Sequence, residues 1–180
     1  EISELTNTFN QMVFSIRKII EESPRLKKFI NLKRKKDRLT QKYILINGTS
    51  YLIKDTSSEE AYDILIEKIN KEYTPLLLTR QNPKIAEQKY GILKKNLVWL
   101  SEEKETGTTS SSNLNDIQKK VLDFIDKNHK SIILLDRSDY ITNKYGFDNF
   151  LRFLININDK VMAKEAIFLL PVDPEIFNNK

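Results

Sequence analysis

The sequence has no cysteine and a single histidine, His129. Without thiols it can form neither disulfides nor thiolate metal sites, and it has no cysteine nucleophile. One imidazole is too few for zinc sites built from several histidines or cysteines. His129 lies in a polar connector, where we expect it to be exposed to solvent. We therefore predict no metal centre and no catalytic residue.

Glycine is also scarce, with only four residues in the chain: Gly48, Gly91, Gly107 and Gly146. A P-loop needs Gly-x-x-x-x-Gly-Lys-Ser/Thr, because its glycines let backbone N–H groups wrap the phosphates. Here the sequence Lys54-Asp55-Thr56-Ser57-Ser58 leads from a predicted strand into a predicted helix without any glycine. The sequence therefore disfavours ATP hydrolysis by that route and predicts no cofactor.

Long hydrophobic runs are missing as well. The longest extends from Ala166 to Val172, far short of the length that crosses a bilayer. Hydrophobic residues make up 39% of the chain and charged residues 31%, which is typical of a globular domain rather than a disordered one. The net charge is +5, and the positive excess is local.

Residues 1–22 carry apolar side chains three and four positions apart, which is a heptad seam. The seam residues are Ile2, Leu5, Phe9, Met12, Ile16 and Ile19. Nothing else in this segment can cover that stripe, so we predict a coiled coil with a second copy of the chain. The alternative is an ordinary amphipathic helix packed on the main domain.

The residue identities in this segment carry a resemblance. Glu1-Ile2-Ser3-Glu4-Leu5, followed by Phe9-Asn10-Gln11-Met12, resembles the second helix of a HAMP domain over about residues 1–19. Ser3 stands where that family usually has glycine. HAMP domains are dimeric and lie just inside the membrane, so the resemblance implies a homodimer, a membrane span upstream and a position on the cytoplasmic side of the cell membrane. We expect the chain to be part of a longer archaeal sensor protein.

Residues 23–42 form a predicted basic helical linker that begins at Ser23-Pro24. Its basic residues are Arg25, Lys27, Lys28, Lys33, Arg34, Lys35, Lys36 and Arg38. The segment is interpreted as a solvated helix, and attraction to anionic lipid or nucleic acid is the alternative. No aromatic residue is interleaved with the basic cluster, so nucleic-acid binding is the weaker hypothesis.

The hydrophobic pattern of residues 43–180 predicts one α/β domain. A hairpin is expected around Asn47-Gly48, with strands at 43–46 and 49–53. Further strands are predicted at 75–79, 96–101, 131–135 and 166–170, and helices at 58–72, 83–89, 114–128 and 147–163. Ser57 and Glu60 form a predicted capping box for the first of these helices, and residues 102–113 a flexible loop. Wholly apolar strands alternating with helices favour a mostly parallel sheet with helices on both faces.

The functional crevice of such folds lies beyond the carboxyl ends of the strands. We predict ligand-binding candidates there, namely Arg80, Asp136, Arg137 and Asp173. The two arginines could clamp a phosphate or carboxylate, or they could pair with nearby acidic residues. Asp136 could equally be a polar stop at the end of a buried strand.

Several motifs of this domain, in order, resemble the archaeal domain-of-unknown-function family 835 over about residues 43–177. They are Ser50-Tyr51-Leu52-Ile53, Leu78-Thr79-Arg80-Gln81-Asn82-Pro83, Val98-Trp99-Leu100-Ser101, Ile133-Leu134-Leu135-Asp136 and Pro171-Val172-Asp173-Pro174. The resemblance implies a RecA/KaiC-like P-loop-type fold lacking the P-loop, with the main strands ordered 1-5-4-2-3. It also implies that Asp136 is the counterpart of a Walker B acid.

Two functional hypotheses follow. The first is a non-enzymatic signalling or interaction module of a membrane-anchored sensor, dimerised through its N-terminal helix and acting on an unknown protein partner. The alternative is a ligand- or nucleotide-responsive domain with a degenerate nucleotide site. Non-specific binding of nucleic acid by the basic linker is a weaker third possibility.

Overall fold

The computed structural model describes residues 43–103, 109–110 and 113–173. The predicted HAMP helix at 1–22 and the predicted basic linker at 23–42 lie outside the described residues, so the division of the chain into three segments stays a prediction.

The described chain alternates strands with helices, as the hydrophobic pattern indicates. The strands are β1 (Thr49–Lys54), β2 (Thr74–Thr79), β3 (Leu97–Trp99), β4 (Thr109–Ser110), β5 (Ser131–Leu135) and β6 (Ile167–Val172). The helices are α1 (Glu59–Asn70), α2 (Pro83–Tyr90), α3 (Leu114–Lys127), α4 (Ser138–Tyr145) and α5 (Phe147–Ala163), with a 3₁₀ turn at Lys94–Asn96. No described helix has both the length and the apolar content needed to cross a membrane.

The six strands form one sheet in the order β1-β6-β5-β2-β3-β4, and every neighbouring pair is parallel. Counted along the chain, the five longer strands follow the order 1-5-4-2-3, which confirms the predicted order. The two residues of β4 extend the sheet beyond β3. Because the strands are parallel, all their carboxyl ends meet at one edge of the sheet.

Helices cover both faces of the sheet, as predicted. On one face α3, α4 and α5 pack on strand residues to form the main apolar core. Its members include Leu76, Leu78, Ile117, Val121, Ile133, Leu135, Phe153 and Ile157. Side chains alternate along a strand, so Thr79 and Asp136, each one residue beyond a core leucine, point to the opposite face. Tyr62 of α1 bonds to both of them there, which places α1 on that second face.

The predicted hairpin is wrong. Residues 43–46 are not a strand, although 47 and 48 do form a turn. Gly48 has φ 73°, and its N–H donates to the carbonyl of Ala166 at 2.8 Å. The turn therefore leads β1 into parallel pairing with β6 rather than back onto residues 43–46. The Asn-Gly signal is local and gives the turn, whereas the choice of partner strand depends on the whole sheet.

Three smaller differences between the predicted and the observed structure concern single elements. Helix α4 was not predicted, because its short sequence has few apolar residues to reveal a periodicity. Strand β4 lies inside the segment predicted as a loop. Pro171 lies within β6 instead of closing it. Pairing of β6 with β5 ends at Leu169, so the missing N–H of Pro171 removes no bond from that ladder.

Candidate functional site

The carboxyl ends of β1, β2 and β5 bring together polar residues that are distant in sequence. Asp136 directly follows β5, Thr79 is the last residue of β2, and the loop after β1 enters α1 at Glu59. This edge is the crevice in which the sequence predicts a site.

Asp136 is 4% exposed, and both of its carboxylate oxygens accept hydrogen bonds. The hydroxyl of Ser58 donates to Oδ1 at 3.0 Å. The hydroxyls of Tyr62 and Thr79 donate to Oδ2 at 2.9 and 3.0 Å. The N–H of Asp136 also donates to the carbonyl of Leu78 at 2.9 Å. Because a buried carboxylate is costly without donors, these three hydroxyls stabilise its position. We call Asp136 and these three residues the carboxylate cluster.

A second layer of polar groups holds the cluster in place. The side-chain amide of Gln81 donates to the hydroxyls of Tyr62 and Tyr90, both at 3.3 Å. The two tyrosine rings stack with centroids 4.1 Å apart. Burial, with the nearby charge of Asp136 adding to it, raises the pKa of Tyr62 far above its ordinary value. Tyr62 therefore keeps its proton and remains a donor to Asp136.

The N-terminus of α1 is occupied by the chain's own carboxylate. Asp55 Oδ1 accepts from the N–H and the hydroxyl of Ser57 at 2.9 and 3.0 Å, and Oδ2 accepts from the N–H of Glu60 at 2.8 Å. Burial by itself would raise the pKa of Asp55, but these donors and the N–H of Ala61 outweigh it, and the pKa falls below 3.8. A helix N-terminus attracts anions, and here Asp55 is the anion.

The predicted capping box is therefore wrong. The residue before α1 is Ser58, which has φ 60° and no side-chain bond that caps the helix. The hydroxyl of Ser58 is turned to Asp136 instead. Asp55 reaches the amide of Glu60 because the loop folds back on itself, and this cannot be seen from the spacing of Ser57 and Glu60.

Arg80 follows β2, but none of the hydrogen bonds described for its side chain joins it to the carboxylate cluster. Its guanidinium donates to the carbonyl of Leu100 at 3.1 Å and lies 4.3 Å from the ring centroid of Tyr140. Its own carbonyl accepts from the indole N–H of Trp99 at 3.3 Å. Arg80 thus ties the ends of β2 and β3 to α4.

Arg137 pairs with an acidic residue, which was one of the two predicted outcomes for the arginines. Its guanidinium makes two bonds to the carboxylate of Asp139, at 3.0 and 2.7 Å. The bond to Arg137 lowers the pKa of Asp139, and the same bond raises the pKa of Arg137. The fourth candidate, Asp173, follows β6 next to Val172, whose carbonyl accepts from the N–H of Asp55 at 3.1 Å.

Sequence reasoning found Asp136 but missed the residues that hold it. Thr79 could have been found, because it ends the strand that neighbours β5. Tyr62 lies four positions after Ser58, so both can face the same side at the start of α1, but nothing in the sequence indicates Asp136 as their target. His129 is exposed, as predicted. Across the described part of the chain, no three His, Asp or Glu side chains are arranged to hold a metal ion.

Comparison with known families identifies the domain. Residues 54–180 match the family described as "Protein of unknown function (DUF835)". The chain belongs to the DUF835 family. The match covers the α/β domain from the last residue of β1 onward and does not extend to the segment that resembles a HAMP helix.

Comparison with solved structures relates this DUF835 domain to one fold. The crystal structure of a KaiC-like protein from the hyperthermophilic archaeon Pyrococcus horikoshii OT3 aligns with a TM-score of 0.50 and 12% sequence identity. The alignment covers 71% of this chain and 63% of that one, so the chain spans less than two thirds of that structure. The likeness shows a shared KaiC-like fold. The search of curated proteins found no match.

We expect Asp55→Ala to lower the free energy of unfolding by about 1 kcal/mol at pH 7, the usual loss for a helix cap. The pKa of Asp55 is lowered in the folded state, so its stabilisation is complete above 3.8 and disappears as the pH falls through the lowered value. Urea unfolding of the variant and the parent chain should therefore converge at low pH. The exposed neighbour Thr56 supplies the control, since Thr56→Ala should change little. A loss that does not depend on pH would contradict the assignment.

We expect Tyr62→Phe to cost about 1–3 kcal/mol, because it removes one donor from a buried carboxylate. Tyr73→Phe is the matched control. It removes a hydroxyl that donates to Asn47 at 2.6 Å in an exposed position, so about 0.5 kcal/mol is expected. Urea unfolding of both variants measures the difference. Equal losses of unfolding free energy would mean that the bond to Asp136 stabilises the fold no more than the exposed bond to Asn47 does.

Proposed function

We propose that this DUF835 domain is a non-enzymatic signalling or interaction module. The observation that carries the proposal is the carboxylate cluster, in which three hydroxyls of the chain already bond to Asp136. An acid that holds a metal ion through water needs oxygen lone pairs directed to solvent. Here both oxygens accept bonds from within the domain, and the carboxylate is buried.

The helix N-terminus supports the same proposal. In a P-loop protein this end of the helix binds phosphate through backbone N–H groups. In this chain the amides of Ser57 and Glu60 donate to Asp55 instead. A nucleotide phosphate would have to displace a carboxylate that belongs to the same loop. The charge that would attract a phosphate is thus balanced internally.

The proposal includes the rest of the chain. We infer that the heptad seam at residues 1–22 joins two copies, and that a membrane span lies upstream in the intact protein, with this domain on the cytoplasmic side. The segment from Glu1 to Met12 resembles a HAMP helix, and this resemblance supports the arrangement. A conformational change in the N-terminal helix would then reach the domain, and the domain would present a surface to a protein partner.

Titration of the full chain with ATP and GTP, with and without magnesium, tests the absence of a nucleotide site. We expect no heat of binding up to millimolar nucleotide, since Asp55 and the hydroxyls satisfy the groups that would bind it. Saturable, magnesium-dependent binding that is lost in Asp136→Asn would overturn the proposal and favour the nucleotide-responsive alternative. Loss in Arg80→Ala as well would place the phosphates near the end of β2.

Sedimentation equilibrium of the full chain tests the dimer. We expect a dimer that dissociates when Leu5→Lys and Met12→Lys are combined, because two charges then lie in the apolar seam. Asn7→Lys adds a charge at a position outside the seam and should leave the dimer unchanged. A monomer at high concentration of the unaltered chain would contradict the predicted coiled coil.

A further inference from the structure

Helix α5 carries a second apolar stripe that does not face the core. Its buried residues are Phe150, Phe153, Ile157 and Val161. A separate set of large apolar side chains on the same helix is exposed to solvent: Phe147 at 56%, Leu151 at 43%, Ile155 at 52% and Met162 at 54%. Their spacing of four, four and seven residues places them on one side of the helix. We call these four residues the α5 stripe.

The α5 stripe adjoins an edge of the sheet. Strand β1 is the end strand, and Leu52 on it is 72% exposed. Leu52, Leu154, Ile155 and Asn158 line a groove of about 300 Å³ whose floor includes Phe168 and Leu170. The hydroxyl of Ser50 donates to Asn158 at 2.8 Å and joins β1 to α5 beside the groove. Ile155 of the stripe and Leu52 of the end strand therefore border the same groove, and exposed apolar surface of this kind marks an interaction site.

Two pairs of positions on α5 are complementary about Ile155. If two α5 helices pack antiparallel with Ile155 at a two-fold axis, Phe147 of each copy lies opposite Met162 of the other, to within one residue or about 1.5 Å of helix rise. Arg152 likewise lies opposite Asp159 of the other copy. Both charged residues are exposed. Arg152 directly follows Leu151 of the stripe and Asp159 directly follows Asn158 of the groove, so both would lie at the rim of the contact.

We propose that the α5 stripe and Leu52 bind the same surface of a second copy of this chain. Leu52 of each copy would lie beside the paired helices, and two Arg152–Asp159 pairs would fix the antiparallel register. A contact through the same patch on both copies is the common form of a two-fold dimer. The charge pattern favours a second copy over a partner of arbitrary sequence, because in this register each Arg152 lies opposite Asp159 of the other copy.

The size of the patch indicates how the contact would be used. Five exposed apolar side chains make a patch of a few hundred Å², whereas a stable dimer buries on the order of 1,600 Å² in total. The two domains would therefore pair weakly alone and more fully when the N-terminal helices hold them together. This step rests on the proposed coiled-coil dimer, whereas the geometry of the α5 contact does not.

Cysteine crosslinking of the full chain tests the proposal, because an introduced cysteine is the only thiol present. With a short bismaleimide, we expect Ile155→Cys to form covalent dimers. Lys119→Cys, at an exposed position on α3, should not. Phe9→Cys reports separately on pairing of the N-terminal helices.

Charge reversal in the Ile155→Cys background tests the register. Arg152→Asp or Asp159→Arg alone should lower the crosslinked fraction several-fold, because like charges then face each other across the axis. The two substitutions together should restore it. Neither should alter crosslinking through Phe9→Cys. Equal crosslinking in all of these variants would overturn the proposed register.

The two proposals fail in different ways. Crosslinking through Phe9→Cys without any through Ile155→Cys would overturn the α5 contact and leave the coiled coil in place. Crosslinking through Ile155→Cys alone would support the α5 contact and overturn the coiled coil. If neither variant crosslinks at millimolar chain concentration, both proposals are wrong.

Discussion

A buried carboxylate is stable only where several donors surround it, and Asp136 meets this condition through groups from three parts of the fold. Ser58 comes from the loop before α1, Tyr62 from α1 itself and Thr79 from the end of β2. The order of the sheet makes this possible, since it places β2 and β5 side by side with their ends in register. The position of α1 on the sheet is therefore coupled to one negative charge.

The domain has a KaiC-like fold, and polar groups at the carboxyl ends of its strands bond to one another. Two groups that could otherwise attract a ligand, the N-terminus of α1 and the acid after β5, are each satisfied by the chain. The arginines follow the same pattern, because Arg137 bonds to Asp139 and Arg80 to a carbonyl and an aromatic ring. These contacts at the carboxyl ends of the strands help to stabilise the fold.

Sequence patterns predicted the sheet well and the site only in part. The apolar runs at Leu76–Leu78 and Ile132–Leu135 mark buried strands, and the rule for parallel sheets places Asp136 at their shared edge. The partners of Asp136 could not be predicted, because a hydroxyl at Tyr62 has the same local pattern whether or not a carboxylate faces it. The hairpin and the capping box were wrong for a related reason. Both signals are local: Gly48 bonds instead to Ala166, far away in sequence, and the amide of Glu60 bonds to Asp55, which is two residues further back in the same loop than Ser57.

The pairing of strand β1 determines how the domain would respond to a pulling force. It enters the sheet at the edge opposite the carboxylate cluster and spans the distance of about 20 Å in six residues. Over that length it is paired with β6 at every position, from Thr49 to Lys54. A pull on the chain before Thr49, directed along the strand, would load this whole ladder in shear instead of opening it one bond at a time. β1 would thus resist such a pull through all of its bonds to β6 at once.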